Sequence, residues 1–375
     1  MRPTTEAELA DFVAGATQPL HIRGGGTRAV GRSATGDVLE TGGLSGIDLY
    51  EPGALTLVVR AGTPLAEIAQ VLDAENQRLA FEPMDHRGLL GTTGQSTIGG
   101  VVAANVSGPR RVQAGACRDF MLGVRFVDGT GKVIKNGGRV MKNVTGYDLV
   151  KLIAGSRGTL GVLTEVSLKV LPKPETAACV LTYGLENHSA VRLMAEALGS
   201  PYDVSGAAHV PAGMDGRPVT MLRVEGFAGS VAYRAEKLRA LSGHHEVRIE
   251  DDPDKVAADW ASVRDVEVLQ GCTGDIWRIS CKPSDAPELA SRLRAERLLF
   301  DWGGGLIWAL LPEGTDARAR LGGFGGHATL MRTAKAGGPV LPVFHPEPEP
   351  IAALSAGIRA RFDPRGLFNP GLMAS

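Results

Sequence analysis

Two glycine-rich stretches of this chain have the composition to hold a phosphate-bearing ligand. One runs Gly91-Thr92-Thr93-Gly94-Gln95-Ser96-Thr97-Ile98-Gly99-Gly100-Val101-Val102-Ala103-Ala104-Asn105. The other runs from Gly146 to Leu152 and on through Gly155-Ser156-Arg157-Gly158-Thr159-Leu160-Gly161-Val162-Leu163. Both are bounded by apolar segments and nearly free of acidic side chains around the glycines. A diphosphate needs this chemistry. Its charge is best met by backbone N–H groups, and glycine lets the backbone come close and take positive φ. A third run, Arg23-Gly24-Gly25-Gly26-Thr27-Arg28, follows a short apolar stretch and could wrap a pyrophosphate. Taken alone it is equally a surface turn. It is not a P-loop, because no Gly-Lys-Ser/Thr follows. Nor is it a Rossmann fingerprint, which should open a helix about 20 residues before an acidic residue.

The elements that must position these runs can be read from periodicity and punctuation. Thr5-Glu6-Ala7-Glu8 reads as a capping box opening a helix with Leu9, Phe12 and Val13 on one face. Leu20-His21-Ile22 predicts a short strand, Val38-Leu39 a weak one and 54–60 a strong one. Thr63 suits an N-cap and Pro64 a first helical position, ahead of a stripe of Leu65, Ile68, Ala69 and Leu72. Residues 121–127 and 132–134 predict strands joined near Asp128-Gly129, and 162–170 another. Leu171-Pro172-Lys173-Pro174 then punctuates the chain, and a domain boundary is placed there. Beyond it, apolar strands (179–183, 219–226, 276–281, 306–311) alternate with helical stretches (188–198, 230–242, 285–296). This alternation suggests an α+β unit with an antiparallel sheet. Residues 337–350 are loop-like, and a last helix over 350–362 leads to Asp363-Pro364-Arg365-Gly366-Leu367-Phe368-Asn369-Pro370-Gly371.

The totals bound the function. A chain of 375 residues has room for two or three domains. A net charge of −1 with no basic stripe argues against a nucleic-acid partner. The 50 glycines, about twice the usual share, are not periodic, which excludes collagen and repeat arrays. Cys117, Cys179, Cys272 and Cys281 form no C-x-x-C pair, which argues against an iron–sulfur or zinc site held by this chain alone. Free thiols, the absence of an apolar signal core and the absence of a run of about 18 apolar residues point to a cytoplasmic protein. Any membrane contact would then come through a partner.

Taken together and in order, the runs at 22–28, 91–108 and 146–165 carry a more specific signal. The chain resembles the FAD-binding family typified by vanillyl-alcohol oxidase and p-cresol methylhydroxylase. The likeness covers roughly 1–174 and the closing segment 363–371. Asn105-Val106-Ser107-Gly108-Pro109-Arg110-Arg111 and the run from Gly138 to Asp148 carry a narrower likeness, to the FAD-binding E-type subunits of bacterial glycolate oxidase (glycolate dehydrogenase). The resemblance implies an α+β fold in which a two-subdomain FAD-binding domain, 1–174, precedes an α+β cap, 175–345. A segment over 346–375 then returns to the FAD domain. By the same resemblance Arg23, Gly24, Gly25, Gly26 and Thr27 hold the pyrophosphate, with Thr97, Ile98, Gly99 and Gly100 on its other side. Asn105 and Gly108 lie toward the ring, and Gly155, Ser156, Gly161 and Val162 lie beside the cofactor. The competing account is that Gly99, Gly100, Gly158 and Gly161 serve only tight strand packing. Where several relatives attach FAD through a His, this chain has Thr27, so non-covalent FAD is expected.

The resemblance also implies partners: a D-type flavoprotein subunit and an iron–sulfur subunit, acting on a small 2-hydroxy acid. Relatives that oxidise such acids themselves use a metal held by paired histidines and a Gly-Asp-Gly-Asn-x-His stretch. Gly325-Gly326-His327-Ala328-Thr329 lacks both the Asp and the second His, so no metal is expected. No catalytic residue is assigned. His327 with Arg332 is the candidate pair, and Arg278 and Lys282 could add positive charge. His244-His245 and Asp251-Asp252-Pro253-Asp254 read as solvated turns, and Trp260, Trp277, Trp302 and Trp308 as core or interface residues. Arg110-Arg111 is as readily a solvated pair as a phosphate or partner contact. Three functions stay open: the FAD-bearing subunit of a glycolate oxidoreductase complex, a self-sufficient flavin-dependent 2-hydroxyacid dehydrogenase, and a scaffold subunit with structural FAD.

Overall fold

The computed structural model describes residues 1–31, 35–139, 146–213, 216–335, 338 and 341–373. Residues 140–145, part of the run carrying the narrower likeness, lie outside the described residues, as do 337 and 339–340 of the expected loop.

The strong apolar run forms the strand Thr56–Arg60, with Leu57, Val58 and Val59 all buried. It sits second in a five-stranded antiparallel sheet. The spatial order is Ile47–Glu51, Thr56–Arg60, Val162–Lys169, Met121–Val127 and Val133–Gly137. The central strand thus follows directly from the last glycine loop. The hairpin expected at Asp128-Gly129 is present, and the Asp128 carboxylate fixes it by accepting from the Thr130 and Lys132 amides at 2.9 and 3.0 Å.

Leu20–Arg23 pairs in parallel with Asp37–Glu40. The closing segment adds to it: the Leu20 amide donates to the Leu367 carbonyl at 2.7 Å, and the Asn369 amide donates to the Leu20 carbonyl at 3.0 Å. Arg365 anchors that segment on the carbonyls of Val13, Ala14, Ala16 and Gly129.

Residues 176–332 form an eight-stranded antiparallel sheet. Its order is Val247–Glu250, Thr176–Tyr183, Val219–Gly226, Val204–Val210, Arg297–Asp301, Leu306–Leu311, Asp275–Cys281 and Gly326–Arg332. The expected α+β class holds. Four of these strands have no counterpart in the sequence reading. Val204–Val210 is the clearest case: its Ser-Gly-Ala-Ala centre has low strand propensity, yet every residue is buried. Gly206 is required there, because a Cβ would stand 2.7 Å from the Trp260 ring.

Two cap expectations need correction. The Thr63 hydroxyl is spent on the Arg60 and Gly46 carbonyls, so the helix Leu65–Ala74 starts at Pro64 with no side-chain cap. In the first helix Thr5 accepts from the Glu8 amide as expected, but the Glu8 carboxylate returns to Thr4 rather than Thr5.

The strand face that matters most lies in the second sheet. Arg278 pairs with Trp308 on one side and Thr329 on the other, and Ser280 pairs with Leu306 and His327. With period-two alternation these residues share one face. The residues between them, Ile279, Ile307 and Ala328, pack into the second sheet's own core cluster. That cluster lets the opposite face carry polar groups toward the FAD-binding half.

Candidate functional site

Two cavities meet at the junction of the halves. The first, about 350 Å³, is walled by residues 21–31, by Thr97, Gly99, Gly100, Ala103 and Ala104, by Arg157, Gly158 and Gly161, and by Asn369. Its walls interlock at the glycines. A Cβ on Gly25 would stand 1.4 Å from the Gln95 carbonyl oxygen, and one on Gly94 would stand 1.7 Å from that of Gly25. The two loops therefore cross backbone against backbone. Asn369 staples a third wall: its side-chain oxygen accepts from the Ile22 amide at 2.8 Å and its amide donates to the Arg157 carbonyl at 2.9 Å.

The second cavity, about 380 Å³, shares Arg28, Val30, Ala104 and Arg157 with the first, so the two form one trough. Arg28 donates to the Ser96 hydroxyl at 2.6 Å and to other neutral oxygens, its Nε has no partner, and burial pushes its pKa down to about 10. Burial does the same to Arg157, whose guanidinium lies 4.9 Å from the Phe344 ring. Among the described residues neither has a carboxylate in ion-pair range. Two buried cations at the neck of a long trough fit a ligand with a negative centre. A wider cleft of about 960 Å³ borders the same interface, but its acids Glu82 and Glu225 are fully engaged by Arg78, Arg110 and Arg223.

The eight-stranded sheet contributes Arg278, Ser280, Trp308, His327 and Thr329 to the second cavity, together with the turn after Arg297–Asp301. Trp302 has φ +54°, a costly conformation for an aromatic residue. Its amide donates to the Asp301 carboxylate at 2.7 Å and its indole N–H donates to the Gly108 carbonyl at 3.1 Å. Gly303 and Gly304 continue the turn at positive φ. The turn thus fixes the indole against the FAD-binding half. No group of three or more His, Cys, Asp or Glu among the described residues is placed to hold a metal.

A family description, FAD binding domain, matches residues 1–137. The glycolate oxidase subunit GlcE of Escherichia coli (strain K12) is 37% identical over 95% of this chain and 92% of its own. The chain belongs to the GlcE family. The glycolate oxidase subunit GlcD of Bacillus subtilis (strain 168) is 34% identical over 44% of this chain and 34% of its own. A solved alkyldihydroxyacetonephosphate synthase shares the fold, with a TM-score of 0.73 over 99% of this chain and 75% of that one at 14% identity. FAD is accordingly the cofactor of this chain.

In this GlcE-family chain, Arg23, Gly24, Gly25, Gly26, Thr27, Thr97, Gly99, Gly100 and Gly161 line the first cavity, and Asn105, Gly108 and Gly155 the second. Ile98, Ser156 and Val162 line neither; Ile98 and Val162 are core residues. Arg23, expected at the pyrophosphate, is half exposed and paired with Glu40. The cations facing the trough are Arg28 and Arg157, inside the quoted runs but passed over among the glycines. Tight packing also holds: a Cβ on Gly161 would meet the Phe126 ring at 2.5 Å, and one on Gly99 the Ala61 carbonyl at 2.7 Å. Packing and cavity lining coexist at both.

The pair His327 and Arg332 is not assembled. His327 lines the second cavity, while Arg332 donates to the carbonyls of Leu89, Cys272 and Gly274. Arg278 faces the cavity; Lys282 does not line it. Trp260, Trp277 and Trp308 are core residues and Trp302 packs against the core; Trp302 and Trp308 also wall the second cavity. Arg110 is buried in an ion network, and Arg111 borders the cavity. Asp252 caps the helix Pro253–Arg264, as a helix-start turn should.

Burial raises the Asp301 carboxyl to about 7, against the opposing pull of its hydrogen bond from the Trp302 amide. The folded chain then holds this proton more tightly than the unfolded chain. Ionising it costs stability as pH rises from the ordinary carboxylate range toward 7, and nothing further above. Asp301→Asn keeps an acceptor for the Trp302 amide and carries no charge. Relative to wild type it should gain in melting temperature between about pH 5 and about pH 8. A difference that stays constant across that range would contradict this origin.

Proposed function

We propose that this chain is the FAD-bearing subunit of a multi-subunit glycolate (2-hydroxy acid) oxidoreductase, working beside a D-type flavoprotein and an iron–sulfur subunit. The carrying observation is the single trough with two uncompensated guanidiniums at its neck, in a chain alike to GlcE over nearly its whole length. Bound flavin supplies the two-electron chemistry. Arg28 and Arg157 would meet the charge of the diphosphate. Gly24 to Thr27 with Thr97, Gly99 and Gly100 would line it closely, and Asn105, Gly108 and Gly155 would run toward the ring. Trp302, Trp308 and Phe344 would shield the ring end from water. Among the described residues no helix is long and apolar enough to cross a membrane, so membrane contact would run through the partners.

Thr27 lacks the imidazole nitrogen through which histidine-linked relatives attach the flavin. The purified chain should be yellow, and denaturation should release all flavin into the filtrate; flavin that stays with the polypeptide contradicts this. Anaerobic glycolate should reduce the assembled complex and act poorly on the chain alone. Colourless protein that takes up no added FAD overturns the proposal, and full turnover by the isolated chain overturns the division of labour.

A further inference from the structure

The second cavity holds more positive charge than a flavin diphosphate accounts for. Arg28 and Arg157 border both cavities, but Arg111 and Arg278 border only the second. Both of these guanidiniums stand against one indole, with Arg111 4.6 Å and Arg278 5.1 Å from the Trp302 ring centroid. Neither has a carboxylate in ion-pair range or a side-chain hydrogen bond among the described residues. Burial, with the repulsion of Arg111 and Arg157 and against the pull of Asp301 in the same wall, pushes Arg278 down to about 10. Cation–π contact recovers part of the cost of burying them but does not neutralise two like charges facing one space. The opposite face of the Arg278 strand is solid core, so the charge cannot turn away. A ligand anion can supply what the protein withholds.

We propose that this cavity is the receptor for a short-chain carboxylate, gripped by Arg278 and Arg111 over Trp302, so that this chain itself recognises the acid. The planar forks of two guanidiniums match a carboxylate bidentately. Ser280 and Thr329, both in the cavity wall, offer hydroxyls for an oxygen on the adjacent carbon. Leu306, Trp308 and Met331 close the rest with apolar surface and leave a small volume for a long or branched acid. The proposal rests on the reading above in assigning the rest of the trough to flavin, whose ring end would leave the acid the space beside Arg278 and Arg111. The recognition needs no metal-ligand set.

Oxalate, which carries carboxylates and no oxidisable hydrogen, is the probe. The FAD-loaded chain is titrated with oxalate and, separately, with inorganic phosphate, following tryptophan emission and heat. Saturable oxalate binding is expected, weakened at least tenfold by Arg278→Met and by Arg111→Met and unchanged by Arg60→Met on the other sheet. Trp302→Phe should keep binding and lose most of the emission change. Arg278→Lys, which keeps charge but not the fork, should fall between; it carries the test if Arg278→Met does not fold. Oxalate binding that is absent, or indifferent to both arginines, overturns the proposal. Phosphate binding as tight as oxalate overturns the carboxylate assignment. Failure to bind FAD in the same preparations would instead sink the cofactor reading, and the oxalate titration stays readable in the flavin-free protein.

Discussion

Replacing Glu82 by alanine should lower the unfolding free energy by about 3–5 kcal/mol, the usual cost of stranding a buried charge. Glu82 is buried at the seam between the halves, in a left-handed conformation with φ +50°. Both its oxygens accept from the Arg223 guanidinium at 3.0 Å, and Arg110 approaches at 2.9 Å. Arg223 belongs to the second sheet and Arg110 to the loop after Gly108, so one carboxylate ties the two halves. Glu225 completes the network with Arg110 and Arg78, and Arg223 stacks 4.4 Å from the Trp260 ring. Removing Glu82 leaves Arg223, only 2% exposed, with a weaker counter-charge in Glu225.

The same network sets an acid limit. Burial alone would raise Glu82 and Glu225, but the surrounding arginines outweigh it and hold both below the ordinary carboxylate range. A depressed folded value contributes stability that is fully present above the unfolded pKa and is lost as pH falls through the folded one. The deficit of Glu82→Ala against wild type should therefore be largest near neutrality and shrink below about pH 4. Urea unfolding at both pH values measures it. An unchanged deficit in acid would show that lost packing, not charge, carries the effect.

Gly25→Ala should abolish FAD binding and cost about 3 kcal/mol or more, the upper end for overpacking. The added carbon would fall 1.4 Å from the Gln95 carbonyl oxygen, which is backbone and cannot rotate aside. One of the two crossing loops must retreat, and both wall the first cavity. Gly91 is the control. It takes φ +66° but has nothing within 4 Å of its Cβ position, so Gly91→Ala should cost only about 1 kcal/mol and retain flavin. Flavin absorbance and thermal melts of both variants decide. Normal FAD content in Gly25→Ala would mean the crossing is not what shapes the trough.

The glycine runs were legible because diphosphate chemistry demands a composition, and composition is local. Thr56–Arg60, the Asp128 hairpin and Val219–Gly226 were legible because alternation or apolar density marks them. Val204–Val210 was not, because Gly206 at its centre is dictated by the ring of Trp260 packed against it rather than by strand propensity. Arg28 and Arg157 were passed over because an arginine in a turn reads as solvated until the turn is seen from inside. Arg332 misled because its partners are carbonyls from residues 89, 272 and 274, invisible as a pattern.

The order of three glycine runs along the chain, with Thr27 where relatives carry a tethering histidine, was enough for the fold class, the cofactor and the family. Those features depend on spacing within short segments, and short segments survive as text. The receptor built from Arg278, Arg111 and Trp302 was settled only when three strands aligned in register and a strained turn brought the indole to the Gly108 carbonyl. Residues 111, 278 and 302 share no local motif. Their meeting is a property of sheet pairing across long separations, which a linear sequence encodes without displaying.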